Sequence, residues 1–112
     1  MLRILFVCSQ NRLRSPTAEQ VFSQYDGIEC WSAGVHDSAD VSLAPDMIQW
    51  ADIIFVMEKT HQTKISKKFS KHLHGKRLVV LGIPDIYEYM DPTLIQILEL
   101  KVPPLLRRRI SS

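Results

Sequence analysis

Cysteine is scarce in this sequence, charge of either sign is balanced, and long hydrophobic runs are missing. Two cysteines, Cys8 and Cys30, are too few for a disulfide framework or a cysteine metal cluster. Fourteen basic and twelve acidic residues give a net charge of +2, which by itself indicates neither nucleic acid nor an anionic membrane surface as a partner. No apolar run approaches the roughly 18 residues of a spanning helix. The short apolar opening lacks the cleavage site of a secretory signal.

The composition is that of a globular protein, with 46% hydrophobic and 23% charged residues, which argues against a disordered chain. A length of 112 residues favours one domain. We therefore expect a single domain over residues 1–112 in a reducing, cytoplasmic setting. From about residue 103 to 112 we expect a loose C-terminal tail.

Apolar runs alternate along the chain with segments of helical spacing. Runs at 2–7, 28–32, 53–57 and 78–81 are typical of strands buried in a parallel sheet. Helix signals lie between and after them, with helices expected to begin at Ser15-Pro16, to cover 45–50 and 60–72, and to run from Asp91-Pro92 to Pro103-Pro104. Alternation of this kind predicts an α/β domain with helices on both faces of a mostly parallel sheet.

A polar turn joins the first predicted strand to the first predicted helix. Cys8 ends the strand and Ser15-Pro16 opens the helix, so that residues 9–14 form the turn. Backbone N–H groups of such a turn can converge into an anion-binding nest, and the helix N-terminus adds about half a positive charge. Arg14 brings a planar fork of donors that suits an oxyanion. Because a thiol in that field ionises readily, Cys8 is the predicted nucleophile.

The remaining loop residues are expected to contact the substrate. Asn11 tolerates the left-handed backbone angles that a tight loop needs, and Ser15 can donate its hydroxyl to the sulfur. The loop then holds what attack on a phosphate monoester requires, except an acid for the leaving oxygen. The predicted substrate-binding residues are Ser9, Gln10, Asn11, Arg12, Leu13 and Ser15.

The sequence resembles the low-molecular-weight protein tyrosine phosphatases. Their signature Val-Cys-x5-Arg-Ser-Pro, with an Asn three residues after the Cys, is matched by residues 7–16. Further similarity lies in Ser-Ala-Gly at 32–34, in Ala-Asp-x-Ile followed by Met and His at 51–61, and in Asp-Pro at 91–92. The resemblance implies a flavodoxin-like three-layer sandwich, with a four-stranded parallel sheet in the order 2-1-3-4.

In function, the resemblance implies a cysteine-dependent phosphatase that hydrolyses phosphotyrosine or similar aryl phosphate monoesters through a phosphocysteine. Cys8 would attack phosphorus, Arg14 and the loop amides would hold its oxygens, and Asp91 would protonate the leaving oxygen. The implied partners are a phosphorylated protein or a small aryl phosphate, with inorganic phosphate or other oxyanions as inhibitors. Neither a metal nor a cofactor is implied, and neither nucleic acid nor a membrane is an expected partner.

The chain also departs from the family pattern. Gln10 stands where the family usually has Gly, and Leu13 stands where a second loop cysteine is usual. The aromatic that commonly follows Asp-Pro is missing, so Tyr87 and Tyr89 are candidates to clamp the substrate ring or, equally, to pack in the core.

The acid and the reaction class stay open at this point. Asp91-Pro92 is also an ordinary helix start, so Asp85 in the turn after the last strand competes for the acid role. Arsenate reduction on the same fold is one alternative, with Cys30 as the only second thiol. A catalytically weak module that binds phosphorylated ligands is the other.

Overall fold

A computed structural model describes the backbone of residues 1–111 and the side chains of residues 1–106. The strands are β1 (Leu2–Cys8), β2 (Ile28–Gly34), β3 (Ile53–Val56) and β4 (Arg77–Val80). The helices are α1 (Arg14–Phe22), α2 (Pro45–Trp50), α3 (Lys59–Phe69), followed by a 3-10 turn (Ser70–His72), and α4 (Pro92–Ser111). The predicted order of strands and helices is confirmed.

The four strands form one parallel sheet in the order β2-β1-β3-β4, which confirms the predicted topology. In register, Cys8 at the end of β1 lies opposite Gly34 of β2, and Val7 lies opposite Val56 of β3. The strand order reverses around β1, whose carboxyl end is therefore the place where such sheets bind ligands.

Successive residues of β1 face opposite layers, as the pleat of a strand requires. Phe6 packs on one face, stacked between Phe22 of α1 at 5.7 Å and Phe55 of β3 at 5.6 Å. This layer is covered by α1 and α4. The other face of the sheet is covered by α2 and α3, through Ile48 and Ile65. Two apolar layers thus hold the central strand rigidly beneath the loop that follows it.

Helix α4 continues through Pro103 and Pro104, so the predicted helix end and the predicted loose tail from residue 103 are wrong over the residues whose side chains are described. The reason is a buried stripe that runs past the prolines, with Val102 fully buried and Leu106 only 7% exposed. Proline removes one hydrogen bond to the residue four positions earlier. The carbonyls that lose a donor here belong to exposed positions, where water can replace it. The rest of the predicted tail, 107–112, lies outside the described side chains. No helix of the described residues has both the length and the apolar character needed to cross a membrane.

Candidate active site

The loop between β1 and α1 is held from behind through its carbonyl groups. Backbone N–H groups in the segment 35–40 donate to the carbonyls of Cys8, Ser9 and Gln10 at 2.9, 3.1 and 3.0 Å. The N–H groups of residues 9–13, in contrast, donate to no acceptor within the described part of the chain. The loop therefore offers a row of unpaired donors next to the start of a helix, which is a favourable environment for an anion.

Two residues allow the loop to turn so tightly. Asn11 adopts a left-handed conformation with φ of 57°, which asparagine tolerates better than most residues. Gly34 lies against the loop so closely that a Cβ atom there would sit 2.5 Å from the carbonyl oxygen of Ser9 and 2.6 Å from Cβ of Ala39. The Ser-Ala-Gly motif thus ends in glycine because the loop packs directly on it.

The sulfur of Cys8 lies within a small network of buried polar side chains. Its Sγ is 2.9 Å from Oγ of Ser15, and the side-chain amide of Asn11 donates to the same Oγ at 3.0 Å. Ser15 accepts from Asn11, which leaves its own hydrogen for the sulfur. The carbonyl of Ala33, at 3.4 Å, is a more distant acceptor. The structure therefore brings the predicted nucleophile and the predicted hydroxyl donor together.

Arg14, buried with 2% of its surface exposed, is held by groups from two other loops. Its Nη1 donates to the carboxylate of Glu58 and, at 2.8 Å, to the carbonyl of Ile83. Its Nε lies 3.6 Å from Oδ1 of Asp85. A buried guanidinium needs such partners, because an unpaired charge in the interior is costly.

These groups surround a cavity of about 210 Å³. It is lined by Cys8, Ser9, Gln10, Arg12, Leu13, Arg14 and Asp85. The sulfur, the guanidinium and one carboxylate thus meet at the carboxyl end of the central strand. At the rim, Nε of Arg12 pairs with Oδ1 of Asp40 at 3.2 Å, so this substrate-binding candidate is tied to the segment behind the loop.

The two candidate acids occupy different places. Asp85 lines the cavity, whereas Asp91 is not among the residues that line it. Oδ1 of Asp91 accepts the backbone N–H of Thr93 at 2.8 Å, and so caps the start of α4. The sequence favours Asp91, but the structure places Asp85 on the wall of the cavity that Cys8 also lines.

Thr17 joins the loop to the segment that carries Asp85. This buried side chain donates to the carbonyl of Leu13 at 2.6 Å and accepts the backbone N–H of Met90 at 2.9 Å. Met90 itself has φ of 60°, an uncommon value for a residue of this type. Sequence reasoning did not identify Thr17, because nothing local marks a contact between residues 17 and 90.

His61 of α3 supports the loop from its other side. The backbone N–H of Glu58 donates to Nδ1 of this ring at 3.0 Å, so a neutral ring carries its hydrogen on Nε2. Nε2 lies 3.0 Å from Oγ of Ser9 and therefore donates to it. Burial lowers the pKa of His61 to about 4, and the positive charge of Arg14 acts in the same direction. The hydroxyl hydrogen of Ser9 is consequently free for an acceptor in the cavity.

Within the described residues, no group of three His, Cys, Asp or Glu side chains is arranged to hold a metal ion. The arrangement instead combines a thiol, a hydroxyl donor, unpaired amides, a fixed guanidinium and a carboxylate. That set can hold a tetrahedral oxyanion against sulfur.

Comparison with known proteins agrees with this geometry. Residues 3–52 match the family of low molecular weight phosphotyrosine protein phosphatases. The predicted resemblance is thereby confirmed, and the predicted class of enzyme, a protein tyrosine phosphatase-like hydrolase, agrees with it. A comparison with curated protein sequences gave no match.

Solved structures of phosphatases share the fold over nearly the whole chain. The YwlE arginine phosphatase from Geobacillus stearothermophilus has 21% identity and a TM-score of 0.75, with 99% of this chain and 97% of that chain covered. SP-PTP, a low molecular weight protein tyrosine phosphatase from Streptococcus pyogenes, has 18% identity and a TM-score of 0.77, covering 96% and 93%. The tyrosine phosphatase Wzb from Escherichia coli K30, in complex with phosphate, has 22% identity and a TM-score of 0.74, covering 96% and 99%.

Compared with the phosphatase family pattern, the thiols of this chain are differently placed. Leu13 stands where a second loop cysteine is usual. The other thiol, Cys30, belongs to β2 and lies opposite Ile4 of β1. Ile4 and Cys8 are four positions apart on β1, a distance of about 13 Å along a strand. Burial, together with the nearby carboxylate of Glu19, raises the pKa of Cys30 to about 12. Cys30 is therefore a buried core thiol, remote from the phosphatase-like loop.

The aromatic candidates for a ring clamp also differ from one another. Tyr87 packs against the apolar layer formed with α1 and α4, so it takes the second of the two predicted roles, packing in the core. Tyr89 is 50% exposed and Ile86 is 73% exposed, on the same segment as Asp85. The exposed apolar surface of the segment that carries Asp85 thus comes from Ile86 and Tyr89.

Proposed function

We propose that this chain is a cysteine-dependent phosphatase that hydrolyses aryl phosphate monoesters, phosphotyrosine among them. The observation that carries the proposal is that Cys8 lines a cavity of about 210 Å³ together with Arg14 and the donor-rich loop. A phosphate monoester dianion fits this charge pattern, because loop amides and a guanidinium can bind its three non-bridging oxygens while the sulfur approaches phosphorus from the side opposite the leaving oxygen.

The reaction proceeds in two transfers at phosphorus. The thiolate of Cys8 attacks and forms the S–P bond, the bond from phosphorus to the leaving oxygen breaks, and Asp85 gives that oxygen its proton. Water then attacks the phosphocysteine and loses a proton to the carboxylate of Asp85, while the S–P bond breaks. Inorganic phosphate leaves, and both the thiolate and the acid are restored. Ser15 stabilises the sulfur when it is the leaving group, since its hydroxyl hydrogen points to no closer acceptor.

Asp85 takes the acid role in this proposal in place of Asp91. Its carboxylate borders the same cavity as the sulfur, while that of Asp91 is occupied as a helix cap. A general acid contributes about 10²–10⁴-fold in rate, and most when the leaving group is poor. The test compares phenyl phosphate with p-nitrophenyl phosphate. Asp85→Asn should lose far more kcat on phenyl phosphate, and Asp91→Asn should affect both substrates alike; the reverse order would return the role to Asp91.

An aryl substrate is favoured by the exposed apolar side chains of Ile86 and Tyr89 on the segment carrying the acid. A protein phosphorylated on tyrosine would place its ring between this segment and the loop. Peptides of one sequence with phosphotyrosine, phosphoserine or phosphoarginine test the choice, the last because YwlE is an arginine phosphatase. We expect the highest kcat/KM for phosphotyrosine. A higher kcat/KM for another phosphorylated residue would overturn the proposed substrate but not the proposed cysteine chemistry.

The two alternatives make different demands on the site. Arsenate reduction by this chain would need Cys30 to form a disulfide with Cys8, and a separation of about 13 Å along the strand exceeds the roughly 7 Å limit between bridged Cα atoms. A module that only binds phosphorylated ligands would not need a carboxylate in the cavity, so the presence of Asp85 among its lining residues supports the catalytic proposal. A cytoplasmic setting belongs to the proposal, because a reactive thiol persists best where disulfides are reduced.

Turnover of p-nitrophenyl phosphate tests the proposal as a whole. Cys8→Ser should abolish it, because a serine hydroxyl is a much weaker nucleophile, and Arg14→Ala should reduce kcat by at least about 100-fold. Cys30→Ala is the matched control and should retain turnover. Unchanged activity in Cys8→Ser, or tight phosphate binding with no turnover between about pH 5 and 8, would overturn the proposal.

A further inference from the structure

A second cavity lies on the outer side of the loop, between α1, β2 and α2. Its volume is about 470 Å³, within the range of about 300–1,000 Å³ that is usual for small-molecule sites. It is lined by Asn11, Pro16, Glu19, Trp31, Ser32, Val41 and Met47. Of these residues only Asn11 belongs to the loop of the proposed active site, so the larger cavity is a separate place in the fold.

Trp31 forms a rigid aromatic wall of this cavity. Its ring stacks on that of Trp50 with centroids 4.2 Å apart and planes within 8°. Despite that stacking, Trp31 is 40% exposed and lines the cavity, so it remains accessible to a ligand there. Met47 and Pro16 extend the apolar surface. A ligand with a flat apolar body finds a preformed surface here, with little loss of side-chain freedom.

Glu19 places one carboxylate in this apolar environment. The Ser32 hydroxyl donates to Oε1 of Glu19, and within the described residues no cationic side chain pairs with it. Its charge acts on its surroundings, since it contributes to the raised pKa of the neighbouring Cys30. A partly buried carboxylate that lines the same cavity as a partly exposed indole attracts a cation, through both the charge and the face of the ring.

We infer that this cavity binds a small organic cation with a flat apolar body, such as an aryl amidinium. The cationic group would pair with Glu19, and the body would lie against Trp31 and Met47. The inference rests on the cavity, the stacked indole and the carboxylate of Glu19, which has no cationic partner among the described residues, and it is independent of the proposed phosphatase activity.

Benzamidine and its neutral counterpart benzamide are the probes. The chain has two tryptophans, and Trp31 and Trp50 are in contact, so intrinsic fluorescence reports on the site directly. We expect benzamidine to bind at least about tenfold more tightly than benzamide, a difference typical of one partly desolvated ion pair. Equal affinities, or no fluorescence change with either probe at millimolar concentration, would overturn the inference.

Substitutions separate the role of the charge from that of the fold. Glu19→Gln should remove the preference for benzamidine, while Glu29→Gln, an exposed carboxylate on the same strand as Trp31, should keep it. Val41→Lys introduces a competing ammonium at the cavity rim from a position that is 41% exposed, and should weaken benzamidine binding without disturbing the core. An unchanged preference in both Glu19→Gln and Val41→Lys would show that the cation binds elsewhere.

Discussion

Protonation of His61 should destabilise the folded chain at mildly acidic pH. The ring is 1% exposed, and burial with the nearby charge of Arg14 lowers its pKa from 6.5 to about 4. Between these two values the unfolded chain binds a proton that the folded chain does not. The free energy of unfolding therefore falls as pH drops from 6.5 towards 4.

The magnitude follows from the size of that pKa difference. Each pH unit in this window removes about 1.4 kcal/mol, so the loss is about 2 kcal/mol at pH 5 and about 3 kcal/mol near pH 4. The physical cause is visible at Nδ1, which accepts the backbone N–H of Glu58 at 3.0 Å and would lose that role on protonation. The free energy of unfolding of a small domain is about 5–15 kcal/mol, so a loss of this size is readily measured.

Urea unfolding at pH 7 and pH 5 measures the effect. His61→Gln removes the titrating group, so its free energy of unfolding should change less between the two pH values than that of the unsubstituted chain, by about 2 kcal/mol. His74→Gln, at an exposed position, is the control and should behave like the unsubstituted chain. Equal pH dependence in His61→Gln and the unsubstituted chain would refute the reasoning.

Three further substitutions test other contacts. Thr17→Val should lower kcat on phenyl phosphate at least about fivefold, because it removes the hydrogen bonds that position the segment carrying Asp85. Thr17→Ser should restore kcat, and Thr63→Val, at an exposed threonine, should leave it unchanged. Equal kcat in Thr17→Val and the unsubstituted chain would contradict the link. Gly34→Ala should lower the melting temperature and weaken phosphate binding, because its Cβ would meet the loop backbone at 2.5 Å; a chain that tolerates it would show that the loop can move. Leu106→Ala should lower the free energy of unfolding in urea by about 2–4 kcal/mol, whereas Leu100→Ala, at a position that is 70% exposed, should hardly change it. Equal effects of the two substitutions would show that α4 does not pack beyond its prolines.

The sheet, its strand order and the loop at Cys8 could be predicted from the sequence. Buried parallel strands are continuous apolar runs, helices repeat every three to four residues, and both patterns are local. The loop is local as well, because its thiol, its guanidinium and its helix start lie within nine consecutive residues, 8–16. The sequence predicts the end of α4 wrongly, because Pro103-Pro104 is a strong local stop signal. The burial of Leu106 outweighs that signal, and it depends on a tertiary contact.

Tertiary structure alone decided which carboxylate lines the cavity of Cys8, because Asp85 and Asp91 both follow the last strand and only packing separates a cavity wall from a helix cap. It also decided the link from Thr17 to Met90, across 73 residues of chain, and the meeting of Glu19 with Ser32 and Trp31 in one cavity. Such contacts depend on how helices are rotated and positioned on the sheet. Short-range periodicity and capping signals carry the identity of each element, but the side chains that face one another across elements are selected by packing.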